Sequence, residues 1–502
     1  MILYFLLPSL SAIFFFLILN QKRLVKKSFL PPGPPRLPFI GNLLQFDTAS
    51  PRLYLWKLAK KYGPLMSMKL GSRPVLVVSS AKMAKEVLKT HYLTFCSRPK
   101  FLNLQKLSYN GSDVAFAPYG ESWKEIRKIC VLHLLGNKHV QSFTPVREDE
   151  VFSMIRRISD LVRSNHDQLT NLSEIVLSFT SSLICRIAFG KKFDDQEGSV
   201  VKKFDELMYE AQAMQGGLFV SDYLPSFSWV DKLSGMATRL EKTFLNMDSF
   251  YQELIDEHLK PNRSKSMNKD ILDLLIQLKE EQSCSLELTL DHIKAVLMNI
   301  FVGGTDTSAA TIIWAMTGLI KTPNAMKKVQ EEIRDQVGNK GRVDEDDLGK
   351  LPYLKAVIKE TLRLYPPTPL LLPRETMKSC VIEGYEIRPK TIVYVNAWAI
   401  ARDAEYWENP TEFWPERFLN SSVDIKGQDF EFIPFGSGRR NCPGMSLGLA
   451  TVELALANLL YSFDWELARG MKAEDIDTDV LPGITMHKKN ALCLVPRNYL
   501  CK

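Results

Sequence analysis

The sequence predicts a mainly α protein with small β-sheets, built as one large domain behind an N-terminal membrane helix. Three observations carry this. Apolar residues recur at helical spacing in many long stretches, whereas only a few short runs have strand character. The apolar and charged fractions, 45% and 24%, are those of a globular protein, which excludes disordered, collagen-like and coiled-coil classes. No internal repeat, low-complexity tract or second linker divides the 502 residues.

Residues 1–20 form the predicted anchor. Ile2 to Leu19 is 18 residues without a charge, long enough to reach across a bilayer. Lys22, Arg23, Lys26 and Lys27 follow at once, so the positive-inside rule leaves the rest of the chain cytoplasmic. A cleaved secretory signal is the rival; basic residues after the apolar run and the lack of a small-residue cleavage site oppose it. On this topology the Asn-X-Ser sequons starting at Asn110, Asn171, Asn262 and Asn420 stay unmodified. Residues 21–35 are a basic, proline-rich hinge, in which Pro31-Pro32-Gly33-Pro34-Pro35 reads as a semi-rigid spacer or, alternatively, a flexible linker.

Residues 36–502 then form the main domain. Helical patterns cover Leu53–Tyr62, Ala81–Lys89, Val151–Arg163, Ser173–Phe189, Arg239–His258, Leu290–Lys321, Asn324–Val337, Leu354–Leu364 and Met445–Phe463. Strand-like runs lie at Val75–Val78, Ile382–Ile387 and Ile392–Val395, the last two spaced as a small hairpin. The Leu290–Lys321 pattern has Thr289 as N-cap and Thr322-Pro323 as stop, and is apolar nearly all round. That suits a helix buried in a large core, with a second membrane span as the alternative. Its centre, Gly303-Gly304-Thr305-Asp306-Thr307-Ser308, argues against a span, since two glycines and an aspartate there are costly unless used.

The net charge of +7 comes without clustered basic stripes or a recognisable module, so no nucleic-acid partner is expected. Cysteines at 96, 130, 185, 284, 380, 442, 493 and 501 are scattered, unlike a disulfide framework or zinc site. Only Cys442 has a chemical setting: Phe435-Gly436-Ser437-Gly438-Arg439-Arg440-Asn441-Cys442-Pro443-Gly444, ahead of a helix. A cysteine before a helix start feels the positive end of the dipole, which favours thiolate, and nearby glycines let backbone N–H groups approach the sulfur. Asn441 stands where a dinucleotide loop needs Gly or Ala, and no Gly-Lys-Ser/Thr follows, so phosphate-cradle readings fail.

On these ten residues the chain resembles a cytochrome P450 of the plant microsomal type, over essentially its whole length. The resemblance implies the cytochrome P450 fold, a haem-thiolate catalytic domain over residues 36–502, and heme b (iron protoporphyrin IX). It makes Cys442 the axial ligand, with Phe435 and Gly438 shaping its loop. Trp123, Arg127, Arg374 and Arg440 match the haem-propionate contacts. Asp306 and Thr307 match the acid–alcohol pair beside dioxygen, with the glycines opening the helix groove. Glu360 and Arg363, i and i+3 on one helix, would on their own be an exposed pair; with Arg417 they match a buried network holding the cysteine loop. Substrate contacts by analogy include Phe116, Asn299, Val302, Gly303, Leu370, Leu371 and Thr485, each equally readable as core. Gly303 stands where many relatives have Ala, and Lys124 where many have Arg.

The implied function is oxidation of a small hydrophobic plant metabolite (terpenoid, phenolic, alkaloid or aldoxime) by O2. Lacking a flavin or nicotinamide fingerprint, the chain would draw electrons from an NADPH–cytochrome P450 reductase at the basic face near Cys442. The setting is the endoplasmic reticulum membrane, with lipid as a further partner. Residues 142–150 and 221–233 resemble an aldoxime-metabolising branch. The alternatives are a haem-thiolate isomerase or dehydratase acting without O2, which often lacks the acid–alcohol pair, and a non-catalytic haem-binding protein.

Overall fold

The computed structural model describes residues 29–164, 169–191, 198–261, 269–282 and 285–499. The apolar run at residues 2–19, its basic flank and the sequon at Asn262 lie outside them. The longer helices are α1 (Pro51–Tyr62), α2 (Leu102–Leu107), α3 (Glu121–Lys128), α4 (Thr144–Ser164), α5 (Leu172–Phe189), α6 (Gly198–Gln215), α7 (Met236–His258), α8 (Ile271–Glu280), α9 (Leu290–Lys321), α10 (Pro323–Val337), α11 (Pro352–Leu364) and α12 (Met445–Ser462).

Helix α9 is the axis of the molecule, about 48 Å long at 1.5 Å per residue. Thr289 Oγ1 accepts from His292 N at 3.3 Å to start it, and Pro323 begins the next helix. Helices α5, α9 and α12 are each long and apolar enough to cross a bilayer. Instead 67%, 72% and 67% of their apolar windows are buried inside the protein. The all-round apolar pattern of α9 thus reflects a core position, where neighbouring helices cover every face.

Strands β1 (Leu65–Leu70), β2 (Arg73–Val78), β4 (Arg374–Glu375) and β7 (Ile392–Val395) form one sheet in the order β1-β2-β7-β4. Strands β3 (Thr170–Asn171), β9 (Cys493–Asn498) and β8 (Phe463–Glu466) form a second, in that order. The expected hairpin differs from the one observed. The run at 382–387 turns on itself through Glu383 and Gly384, with φ of 49° and 79°, so β5 (Cys380–Ile382) pairs with β6 (Tyr385–Ile387). A positive φ suits Gly384 and closes a tight antiparallel turn, which releases β7 to join β2 in parallel.

The Pro31–Pro35 segment is fastened to the domain rather than free as a spacer. Ser67 N donates to Pro32 O at 2.8 Å, and Ser67 Oγ donates to Pro31 O at 2.6 Å. Asn42 Nδ2 then holds Pro35 O at 2.8 Å.

Candidate functional site

A cavity of about 850 Å³ lies between the middle of α9, the loop before α12 and the roof formed by residues 101–116 and 209–223. Phe116, Asn299, Val302, Gly303, Leu370, Leu371 and Thr485 all line it, as do Asp306, Thr307, Arg127, Arg374, Arg440, Phe435 and Cys442. Gly438 and Trp123 stand behind the wall. A Cβ at Gly438 would come within 2.7 Å of Leu88 O, so this glycine packs the loop against the helical turn Glu86–Thr90.

The floor is the cysteine loop. Cys442 N donates to Phe435 O at 2.9 Å, which folds residues 435–442 back on themselves. Burial pushes the Cys442 thiol up, while the Gly444 N–H and the Arg127 charge act to lower it. Cys130 also lines the cavity, but burial drives its thiol up to about 12, so it stays a neutral core residue.

Above the floor, the two helix glycines divide their work. A Cβ on Gly303 would meet nothing within 4 Å, whereas one on Gly304 would sit 2.6 Å from Ile184 Cδ1. Gly303 therefore opens the groove, and Gly304 lets α5 approach α9. Thr307 Oγ1 donates to Gly303 O at 2.6 Å, so its proton is engaged and its lone pairs are left for the cavity. Asp306 is buried beside it, and its Oδ1 lies 2.5 Å from His487 Nε2.

Side by side on one wall, Arg98, Arg374 and Arg440 are buried, and burial lowers the pKa of each, to about 10 for Arg374 and about 9 for Arg440. Arg98 spends its donors on the carbonyls of Ala115, Leu372 and Pro373 at 2.8–2.9 Å. Arg440 donates to Cys96 O at 2.8 Å and Ala117 O at 2.7 Å, and lies 3.9 Å over the Trp123 ring. Arg374 reaches Phe95 O and Ser437 O only at 3.5 and 3.4 Å, and no carboxylate charge supports it. Buried guanidinium so poorly matched calls for an anion. The two propionates of a haem answer that need, so the residues present fit the group. The Trp123 indole N–H donates to Val114 O at 3.0 Å; the tryptophan is a shelf for Arg440, its own donor already engaged. Arg127 is bonded to Asn441 Oδ1.

Asn299 lines the cavity, and its amide also ties the roof together. Its Oδ1 accepts from Val114 N and Ala115 N, each at 3.0 Å, and its Nδ2 donates to Asp113 Oδ2 at 3.0 Å. Asp113, fully buried and lifted to about 6 by burial, also accepts from Phe116 N and Ala117 N. The pair clamps the 113–117 loop to α9.

Glu360 and Arg363 are both fully buried, joined through two bonds of 2.7 and 2.8 Å. Arg417 Nε reaches Glu360 Oε1 at 3.2 Å, and Trp414 N donates to the same oxygen at 2.8 Å. The remaining donors of Arg363 hold Ala401 O, Pro410 O and Glu412 O. The network thus fastens segment 401–417 to α11. Its hold on the cysteine loop is indirect, through Trp407 and Phe418 packed on Phe432, with ring centroids 6.2 and 5.3 Å apart.

Sequence reasoning missed Arg98, Asp113, Asn103 and His487. Asn103 Nδ2 holds the carbonyls of Met214, Gln215 and Gly217 at 2.8, 3.0 and 3.1 Å, tying α2 to the end of α6. Arg98 before Pro99 carried a weak local signal; the other three make contacts across distant sequence that no spacing marks.

Comparison with known proteins agrees with this geometry. The family model described as Cytochrome P450 matches residues 31–495. The chain is 51% identical over 506 residues to 6,7,8-trihydroxycoumarin synthase of Pastinaca sativa, covering 99% of both chains. It is 46% identical to strychnine-11-hydroxylase of Strychnos nux-vomica, covering 100% of this chain and 98% of that one. A solved zebra fish cytochrome P450 with progesterone superposes with a TM-score of 0.76 at 25% identity, covering 89% of this chain and 99% of the other. A cysteine loop beneath a glycine gap, walled by buried arginines, has its explanation in this kinship: the chain belongs to the cytochrome P450 family and is a haem-thiolate monooxygenase of plant specialised metabolism, using dioxygen, a redox partner and a small organic substrate.

Proposed function

We propose that this chain oxidises a neutral, largely apolar aromatic metabolite, of coumarin or alkaloid type, at the endoplasmic reticulum. The observation that carries the reading is the cavity itself: Cys442 at its floor, Gly303 open above, and Phe116, Val302, Leu370, Leu371 and Ile484 around the remaining space. Of the polar side chains of its roof, Asn103 and Asn299 are turned to backbone carbonyls and amides, which favours a substrate held mainly by apolar contacts.

When bound, the haem supplies an iron centre that activates dioxygen and transfers one oxygen atom. This chain's residues do the rest. Cys442 would be the thiolate that holds the iron, its charge moderated by the Gly444 N–H. Arg127, Arg374 and Arg440 would hold the propionates. Thr307, its proton committed to Gly303 O, would accept a hydrogen bond from a donor in the groove, and Asp306 would pass protons towards it. Apolar walls exclude bulk water and fix the orientation of the substrate. Because the acid–alcohol pair is intact and sits at the groove, the monooxygenase reading outranks an isomerase acting without O2.

Electrons enter from an NADPH-dependent reductase on the basic surface beside the cysteine loop, where Lys89, Lys128 and Arg439 are exposed. Membrane lipid meets a different face. Phe39, Leu44, Phe227, Trp229 and Leu233 are 49–78% exposed. They are stitched together by Gly71 N to Ile40 O at 3.0 Å and Ser72 N to Tyr223 O at 2.7 Å. This apolar patch, on the same chain as the predicted anchor at residues 1–20, suits single-pass attachment with the domain resting on the bilayer.

Two measurements test the reading. Cys442→Ser should abolish the thiolate-type carbon-monoxide spectrum and turnover; retention of both would end it. Titration with coumarins, alkaloids, aldoximes and monoterpenes should give the strongest high-spin shift with one of the first two classes; a response confined to aldoximes or monoterpenes refutes the substrate class.

A further inference from the structure

His487 lies outside every motif of the family resemblance, yet it is the cation that meets Asp306. Its Nε2 is 2.5 Å from Asp306 Oδ1, with 27% of the His487 side chain exposed against 3% for Asp306. The ring therefore bridges a buried carboxylate and water. Its position is built. Trp314 Nε1 donates to Met486 O at 2.6 Å, Met486 N donates to Pro367 O at 2.7 Å, and Leu481 N donates to His487 O at 3.0 Å. Trp314 is itself clamped by Tyr365, stacked at 4.4 Å.

We propose that His487 positions Asp306 and supplies it with protons, so that this histidine governs whether reduced dioxygen leaves the site as water or as hydrogen peroxide. The proposal rests on the reading of Asp306 as a proton donor and adds its source. In the step, the imidazolium Nε2–H bond breaks and an O–H bond forms at Asp306 Oδ1. The ring is left neutral with its Nδ1 proton. Nε2 itself is buried against Asp306, so once Asp306 has passed its proton on, the neutral ring turns about its Cβ–Cγ bond to bring Nε2 to its exposed side, where solvent returns the proton. No electron moves; NADPH through the reductase supplies those.

The electrostatics agree. Burial disfavours charge on His487, but the Asp306 carboxylate outweighs it and holds the ring above its ordinary value. Asp306 is the ionisable group of α9 acting on the ring, and among the described residues no other registers. Lys488, on the same segment, is turned to Asp477 at 2.8 Å. Tyr365 and Arg402, on the neighbouring segments, respond to each other and to Glu360 and Arg363 rather than to His487.

The test is reductase-driven NADPH oxidation by the full-length enzyme in membranes, without added substrate, splitting consumed dioxygen between hydrogen peroxide and water. Asp306→Asn reports on the donor reading, and His487→Asn on the source. We expect His487→Asn to raise the peroxide share several-fold, with the double variant no worse than Asp306→Asn. His487→Gln keeps a donor to Asp306 but cannot shuttle a proton. The wild-type peroxide share should climb as pH rises through the His487 titration, and His487→Gln should lose that climb. If Asp306→Asn shifts the split and His487→Asn does not, or if His487→Gln keeps the climb, the proposal falls while the donor reading stands. If Asp306→Asn itself changes nothing, both fall. Independently of turnover, histidine ring signals of the diamagnetic ferrous–carbon-monoxide form should include one, absent in His487→Asn, that titrates above the ordinary range and drops in Asp306→Asn. Titration in the ordinary range, unmoved by Asp306→Asn, would overturn the pairing.

Discussion

At the scale of single residues, helix α9 holds glycines that do opposite things. Gly303 faces open space, so Gly303→Ala should gain about 1 kcal/mol of helix propensity while narrowing the groove. The expected outcome is an unchanged or higher thermal midpoint together with a weaker ligand-induced spin shift. Gly318 instead lies against a ring: an added Cβ would meet Phe413 carbons at 2.6, 2.8 and 2.9 Å. A phenyl edge cannot fold aside as a flexible chain end does, so Gly318→Ala should cost about 1–3 kcal/mol in urea unfolding. The chemistry-bearing residues of the cysteine loop and α9 were legible because their types are improbable where they stand. Asn103, Asp113 and His487 were not, because ordinary residues become functional only through contacts made across the fold.

Helices and strands show the same division. Apolar periodicity marked α9, α11 and α12 to within a few residues, since tertiary burial follows that period. Helix α4 begins at Thr144, not Val151, because Pro145 is tolerated in a first turn and the polar run hides buried ion pairs. Arg147 pairs with Glu345 there, and Glu150 with Arg186 at 2.6 Å. Arg147 and Glu150 are buried, so this charged stretch belongs to the core. Helices α6 and α8 went unmarked, although α8 buries Ile271, Leu272, Leu275 and Leu278 at helical spacing. The Glu360 network belongs at this scale because it joins α11 to segment 401–417. Glu360→Ala would strand the buried Arg363 without its carboxylate and should cost about 3–5 kcal/mol. A lowered thermal midpoint with reduced haem content measures it; a stable, haem-replete variant would contradict the structural assignment.

For the molecule as a whole, composition and motif were enough for the class, whereas the exposed apolar patch proposed to meet lipid emerged only once Ile40, Gly71 and Tyr223 were seen joined. In nanodiscs containing brominated lipid, part of the tryptophan fluorescence should be quenched, and Trp229→Phe should remove a measurable share of that quenching. Equal quenching in both proteins would move the bilayer contact elsewhere. The clamp of Asn299 on the 113–117 loop, with Asn103 and Arg98 holding their own carbonyls, has a wider bearing. These amides and this guanidinium grip main chain, whose chemistry is indifferent to which side chains it carries. The chamber is framed like a window, with joints that stay while panes such as Phe116, Val302 or Leu371 are exchanged. Small apolar swaps can therefore reshape the space offered to a substrate without rebuilding the fold.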